Sequence, residues 1–173
     1  MKTRFYFQYK NILFIIAITF CFACQSPIFS FSAIPKPIPE QKNNPAECKY
    51  LLKHKKHTIY VVIANNQASR TKGLMHKKHL PLDQGMLFSY EQDQLIPIWM
   101  KNTYISLDII WLDQNMQVVH IKEGTLPLDT AVIYPPQKAR YVLEINAGLA
   151  KTMQLKRGAK FNLQKLKKDN STQ

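Results

Sequence analysis

Apolar and polar residues alternate with a period of two in several short segments after residue 48, which is typical of β-strands. The clearest segment is HTIYVVIA at 57–64, rich in β-branched and aromatic residues, and a basic turn, KHKKH, joins it to a strand before it. The same pattern predicts further strands at 86–90, 98–101, 108–112, 117–122, 140–146 and 161–166. Gln114-Asn115 makes a turn, so 108–122 is predicted to be a hairpin.

Two short helices interrupt the predicted strands. Asn65 or Asn66 can cap a helix over 66–72 that Gly73 ends, and a second helix is predicted within 148–156. The chain is therefore predicted to be mainly β, of the α+β class, as a single β-rich barrel or sandwich with two short helices. We expect this domain to span 48–168, followed by a frayed tail at 169–173.

The N-terminus has the pattern of a secretory signal. A basic stretch, MKTRFYFQYK, precedes an apolar run at 12–23 that is too short to cross a membrane comfortably. We predict a signal peptide at 1–23 with two alternative endings. Cys24 lies in a lipobox-like context and is the lipidation candidate, whereas the small residues Ser30 and Ser32 suit cleavage before Ala33.

Residues 24–47 are rich in proline and lack apolar periodicity, so they are predicted to be an extended tether. Both endings predict an exported protein, either periplasmic or a lipoprotein anchored in the membrane and facing the periplasm. Cys48 is then the one cysteine in the folded domain, so no disulfide can form within that domain after processing.

The charge of the chain is strongly positive. Lys and Arg number 24 against 11 Asp and Glu, a formal net charge of +13, and no acidic residue precedes Glu40. This balance suits an anionic component of the cell envelope as a partner, or simply a solvated basic face. Nucleic acid is disfavoured, because the chain carries an export signal and no aromatic-and-basic recognition motif.

Three motifs in order resemble one known family. They are R..GLM…L....GMLF.Y from Arg70, WMKNT.I.LDII.LD from Trp99 and VLEINAG from Val142. Together they are similar to the domain-of-unknown-function 192 family, over about Tyr60 to Leu163. The resemblance implies a small β-rich domain, in many members behind a signal peptide. It implies no biochemical activity.

Two acidic residues stand inside otherwise apolar strands. Asp108 precedes IIWL and Glu144 lies between Leu143 and Ile145, and an unpaired buried charge is very costly. Arg70 and Lys101 are the candidate partners, so these four side chains are predicted to form one polar cluster. Its predicted lining consists of Met75, Met86, Trp99 and Asn102.

Three interpretations of this cluster remain open. The side chains could lock the register of the strands and bind no ligand, with Asn102-Thr103 serving as a turn. They could instead line a small cleft with Trp99 as its floor, which makes the protein a binding or accessory module. In the third interpretation Asp108 and Glu144 act as the carboxylate pair of an envelope hydrolase. A binding module is favoured over an enzyme, because no nucleophile or phosphate motif is present.

A metal site is a weaker alternative. Met75, His76, His79 and Met86 fall within twelve positions and could hold a soft metal ion such as Cu(I). The methionines are more often core residues, and the lysines of HKKH would repel a cation. We therefore expect no metal and no cofactor.

Overall fold

The computed structural model describes residues 48–166, and the alternating segments form strands of one mixed sheet within them. The predicted signal peptide, the tether, Cys24 and the tail at 169–173 lie outside the described residues. Within 48–166, no helix is long and apolar enough to span a membrane. The elements in chain order are β1 (Tyr50–His54), β2 (His57–Ala64), α1 (Gln67–Lys72), β3 (Gln84–Gln94), β4 (Leu107–Leu112), β5 (Val118–Lys122), β6 (Ala139–Asn146), α2 (Leu149–Thr152) and β7 (Asn162–Lys165).

The strand order is β5-β4-β6-β3-β2-β1-β7, and only the pair β2–β3 is parallel. That pair needs a crossover connection, which α1 and the loop after it provide. The sheet is open, with β5 and β7 at its edges. At one end the edges approach each other, because Gly158 N donates to Val118 O (2.7 Å) and Phe161 N donates to Met116 O (3.0 Å). The mainly β, α+β class is confirmed.

Both faces of the sheet are covered by apolar residues. On one face, Ile110 and Leu143 pack with Met153 and Phe161 from the segment that contains α2. On the other face, Ile109 and Val142 pack with residues of the loops between β3 and β4, among them Ile98 and Met100. All six residues of β4 are consequently buried. This two-sided burial explains why IIWL at 109–112 is a continuous apolar run and not an alternating one.

One predicted strand is wrong. Residues 98–101 form a single antiparallel bridge, Ile98 to Ile133, and no ladder. Pro97 has no backbone N–H to donate, and the chain turns at Asn102, whose φ is +57°. The segment is therefore a loop that lies over the sheet. The second predicted helix is also shorter than 148–156, since α2 has four residues.

Candidate functional site

A small cavity lies between the end of α1, the strands β3 and β6, and the loop before β4. Its volume is about 80 Å³, several times the ~10–15 Å³ that holds one water and far below the ~300–1,000 Å³ of pockets for drug-sized ligands. It can hold a small molecule or the end of a larger one. Its lining consists of Arg70, Thr71, Lys72, Gly73, Leu74, Met75, Phe88, Tyr90, Pro97, Ile98, Trp99, Thr103 and Glu144.

The helix α1 places Arg70 at this cavity. Asn66 caps the helix, because its side chain accepts a hydrogen bond from Ser69 N (2.9 Å) while Ser69 Oγ accepts one from Asn66 N (3.2 Å). Gly73 ends the helix with a φ of +45°, and a Cβ at this position would lie 3.2 Å from Phe88 Cζ. The chain can therefore turn closely over β3, which holds α1 at the rim of the cavity.

Arg70 is held in place by groups of β3. Its Nη1 donates to Ser89 O (3.0 Å), and its guanidinium carbon lies 4.6 Å from the centroid of the Tyr90 ring. Since a guanidinium carries five N–H donors, several remain available to a ligand. Tyr90 itself has a raised pKa, mainly because it is partly buried, and the negative charge of Glu144 raises it further while Arg70 opposes both effects.

Glu144 is the buried acid of the cavity. On β6 it pairs with Met86 of β3 and with Ile109 of β4, and only 5% of its surface is exposed. No group within residues 48–166 donates a hydrogen bond to its carboxyl, whose oxygens keep a slight exposure at the cavity. Burial raises the pKa of Glu144 to about 8. Because this value lies above neutral pH, the carboxyl is mostly protonated and can itself donate a hydrogen bond.

The loop before β4 supplies the aromatic wall. Trp99 lines the cavity with 45% of its surface exposed, and Lys101 Nζ lies 5.2 Å from the centroid of its ring. Asn102 does not line the cavity. It occupies a turn in which its carbonyl accepts a hydrogen bond from His76 N (2.8 Å), and Thr103 N donates to Met100 O (3.0 Å).

Asp108 lies away from this cavity, so the predicted four-residue cluster does not form. Asp108 pairs with Ile145 in the register whereas Ile109 pairs with Glu144, which puts the two carboxyls on opposite faces of the sheet. Asp108 is fully buried and accepts hydrogen bonds from Gly124 N and Ala150 N, each of 2.9 Å. It is satisfied by backbone amides, and the carboxylate pair that the hydrolase alternative requires is absent.

The structure thus brings together four of the eight residues predicted for the cluster and its lining, and these are Arg70, Met75, Trp99 and Glu144. Lys101 contacts Trp99 beside the cavity. Sequence reasoning missed Phe88 and Tyr90 as lining residues. The spacing of two residues along β3 could have identified them, because it places Phe88 and Tyr90 on the same face of the strand as Met86, which pairs with Glu144.

The weak metal candidates lie in different surroundings. Met75 lines the cavity, Met86 pairs with Glu144, His79 is exposed, and the ring of His76 lies 6.1 Å from that of Tyr104. Within the described residues, no group of three His, Cys, Asp or Glu side chains could hold a metal ion.

Comparisons with known proteins identify a family and two similar solved structures. Residues 50–163 match the profile of the DUF192 family, described as Uncharacterized ACR. A candidate transcription regulator from Sinorhizobium meliloti 1021 is 30% identical with a TM-score of 0.61, and the match covers 67% of this chain and 91% of that one. A protein of unknown function from Novosphingobium aromaticivorans DSM 12444 is 29% identical with a TM-score of 0.60, and the match covers 66% of this chain and 82% of that one. No curated protein matches the chain.

Proposed function

The chain belongs to the DUF192 family, and from its cavity we propose that it is an exported binding module of the cell envelope that holds a small carboxylate-bearing ligand. The observation that carries this proposal is that a buried acid without a hydrogen-bond partner, Glu144, and a guanidinium, Arg70, line the same cavity.

A carboxylate fits the charges around the cavity. Two cationic residues, Arg70 and Lys72, line it against one acidic residue, Glu144. Burial raises the pKa of Glu144 to about 8, so at neutral pH this acid adds a hydrogen-bond donor and little charge. A ligand carboxylate can then accept hydrogen bonds from Arg70 and from the protonated Glu144, and such charge-assisted bonds are the strong ones.

A cationic ligand fits less well. An ammonium group would have to ionise Glu144 while lying near Arg70 and Lys72, which repel it. An anionic ligand has the opposite effect, since its charge raises the pKa of Glu144 further and keeps the donor proton in place. The apolar wall of Phe88 and Trp99 accommodates a short hydrocarbon part of the ligand.

Export to the envelope is supported by the sequence. The basic and apolar segments at 1–23 predict a signal peptide, and the proline-rich segment at 24–47 predicts a tether. A binding role is preferred to hydrolysis, because Asp108 and Glu144 lie on opposite faces of the sheet. No step of bond cleavage is therefore assigned to the cavity.

The name of the Sinorhizobium neighbour raises a different function. A transcription regulator that reads DNA through a helix places that helix in the major groove. Within residues 48–166, the helices α1 and α2 have six and four residues. They are too short for that role, so this function is not carried over to the chain.

The test compares the binding of two carboxylates, acetate and pyruvate, with the binding of methylamine, a small cation. Trp99 lines the cavity while the second tryptophan, Trp111, is fully buried, so a ligand should change the Trp99 fluorescence. We expect both carboxylates to bind and methylamine not to bind. Above pH 8 the dissociation constant of the carboxylates should rise about tenfold per pH unit, because Glu144 loses its donor proton and becomes repulsive.

Two variants separate the contributions. Arg70→Met should weaken carboxylate binding roughly 10- to 100-fold, the value of a hydrogen bond to a charged group. Glu144→Gln keeps an N–H donor, so it should retain binding at pH 7 and lose the decline above pH 8. If methylamine binds and its affinity increases with pH, the carboxylate assignment is wrong. If none of the three compounds changes the Trp99 signal, the cavity is not the functional site.

A further inference from the structure

The exposed large apolar side chains are concentrated in one region. Within residues 48–166 there are eight, and seven of them lie in two loops, at 95–104 and 126–134. Leu82 is the eighth. The seven are Leu95, Trp99, Tyr104, Leu126, Leu128, Val132 and Tyr134, and each has at least 44% of its surface exposed. Single apolar residues scattered over a surface need no explanation, but this concentration does.

These two loops lie side by side. Ile98 N donates to Ile133 O (3.0 Å) and Ile133 N donates to Ile98 O (2.7 Å). Met100 N donates to Asp129 O (3.0 Å), and Leu128 N donates to Thr103 O (2.9 Å). The buried members, such as Ile98 and Met100, anchor the loops on the sheet. We call this paired surface, residues 95–104 and 126–134, the apolar loop pair.

Lysines surround the apolar loop pair. Lys101 belongs to it, Lys138 follows it by four residues, and Lys77 and Lys78 lie in a loop that hydrogen-bonds to Asn102 through His76 N. Lys72 ends α1 at the cavity that Trp99 also lines. Across 70–79, 91–104 and 126–140 there are seven basic residues against three acidic ones, Glu91, Asp93 and Asp129, and Asp93 forms an ion pair with Arg140 (2.7 Å). The region is therefore apolar at its centre and positively charged around it.

We propose that the apolar loop pair is a membrane-contact surface, which inserts its tryptophan, tyrosine and leucine side chains among the headgroups of a bilayer that contains anionic phospholipid. Trp and Tyr are favoured at the membrane–water interface, and lysines beside them are attracted to anionic headgroups. The match between a positive rim and a negative bilayer surface is the reason to prefer a bilayer to a protein partner.

The length of the chain before the domain allows this contact. In the lipoprotein alternative the lipid on Cys24 anchors the chain in the membrane, and residues 24–47 separate that anchor from the domain. Fully extended, that separation spans at most about 80 Å, which is enough for any face of a small domain to turn toward the bilayer. The proposal does not depend on the ligand proposed above.

The experiment uses the full chain and lipid vesicles with brominated acyl chains, which quench tryptophan only at short range. One vesicle contains phosphatidylcholine alone, and the other contains an equal part of phosphatidylglycerol. Trp99 and Trp111 are the two tryptophans of the chain, and Trp111 is fully buried. We expect quenching by the anionic vesicles, little quenching by the neutral ones, and none in the variant Trp99→Phe.

Further variants test the surface against a matched control. The triple variant Leu126→Ser, Leu128→Ser, Tyr134→Ser should bind the anionic vesicles at least tenfold more weakly, as measured by the quenching of Trp99. Leu82→Ser removes an equally exposed leucine outside the apolar loop pair and should change nothing. The proposal is overturned if the protein sediments with the vesicles while Trp99 stays unquenched, because another part of the chain then makes the contact. It is also overturned if the triple variant abolishes self-association measured by ultracentrifugation and leaves quenching intact, because a second copy would then be the occupant.

Discussion

Replacing Glu144 by glutamine should change how the stability of the protein depends on pH. Burial raises the pKa of Glu144 from 4.5 to about 8 in the folded protein. Below pH 4.5 the residue is protonated in both the folded and the unfolded chain and has no effect on the pH dependence. As pH rises from 4.5 toward 8, the unfolded chain releases this proton while the folded protein keeps it. The wild type is therefore destabilised progressively across that window.

The magnitude follows from the width of the window. Each pH unit between the two pKa values is worth roughly 1.4 kcal/mol, so the wild type should lose up to about 5 kcal/mol by pH 8. Between pH 5 and pH 7 the loss should be roughly 2–3 kcal/mol. Glutamine has nearly the same shape and does not ionise. The variant should be less affected by pH, and it should exceed the wild type in stability by a few kcal/mol at pH 8.

Urea denaturation of residues 34–173 at pH 5, 6, 7 and 8 measures this difference, with unfolding followed by circular dichroism. Other ionisable groups are common to both proteins, so the difference between the two curves isolates Glu144. Glu123→Gln provides the matched control, because Glu123 is exposed and should give a curve parallel to the wild type. If the Glu144→Gln curve is also parallel, the acid is ionised and solvated in the native state. The hydrogen-bond donor that the proposed carboxylate site requires would then not exist.

Two other predictions concern how the site is supported. Asp108→Asn should lower the melting temperature by about 10 °C, because the NH2 that replaces one carboxylate oxygen cannot accept and leaves either Gly124 N or Ala150 N unsatisfied. Lys101→Met, at an exposed position, should change the melting temperature by about 2 °C or less, and equal losses in both variants would contradict these assignments. Gly85→Ala should cost roughly 1–3 kcal/mol in a urea melt, because its Cβ would lie 2.6 Å from Glu144 O and would push β3 from β6. An unchanged melt for Gly85→Ala would mean that the strands separate easily there.

Most of the fold could be predicted from the local pattern. The β2 segment HTIYVVIA and the capped helix α1 were found because their signals are complete within a few residues. Residues 98–101 were predicted wrongly because the alternation of Ile98, Trp99 and Met100 also occurs in a loop that packs on a sheet. Whether such a segment becomes a strand depends on a continuous hydrogen-bonding partner far away in sequence, and here the bonds to Ile133 and Asp129 form one isolated bridge and no ladder.

The two acidic residues show why the site was harder to predict than the fold. Both interrupt apolar strands, so the same rule on buried charge applied to each and led to one shared cluster. A buried carboxyl needs hydrogen bonds or an opposite charge in place of the water it has lost, and backbone amides can provide these hydrogen bonds as well as cations do. Asp108 receives such hydrogen bonds from Gly124 N and Ala150 N, which lie in loops whose positions the sequence does not reveal. Glu144 has no such donor among the described residues, so it takes a proton instead. The acid that the fold leaves unsatisfied is thus the one that faces the cavity, and it is the better guide to function.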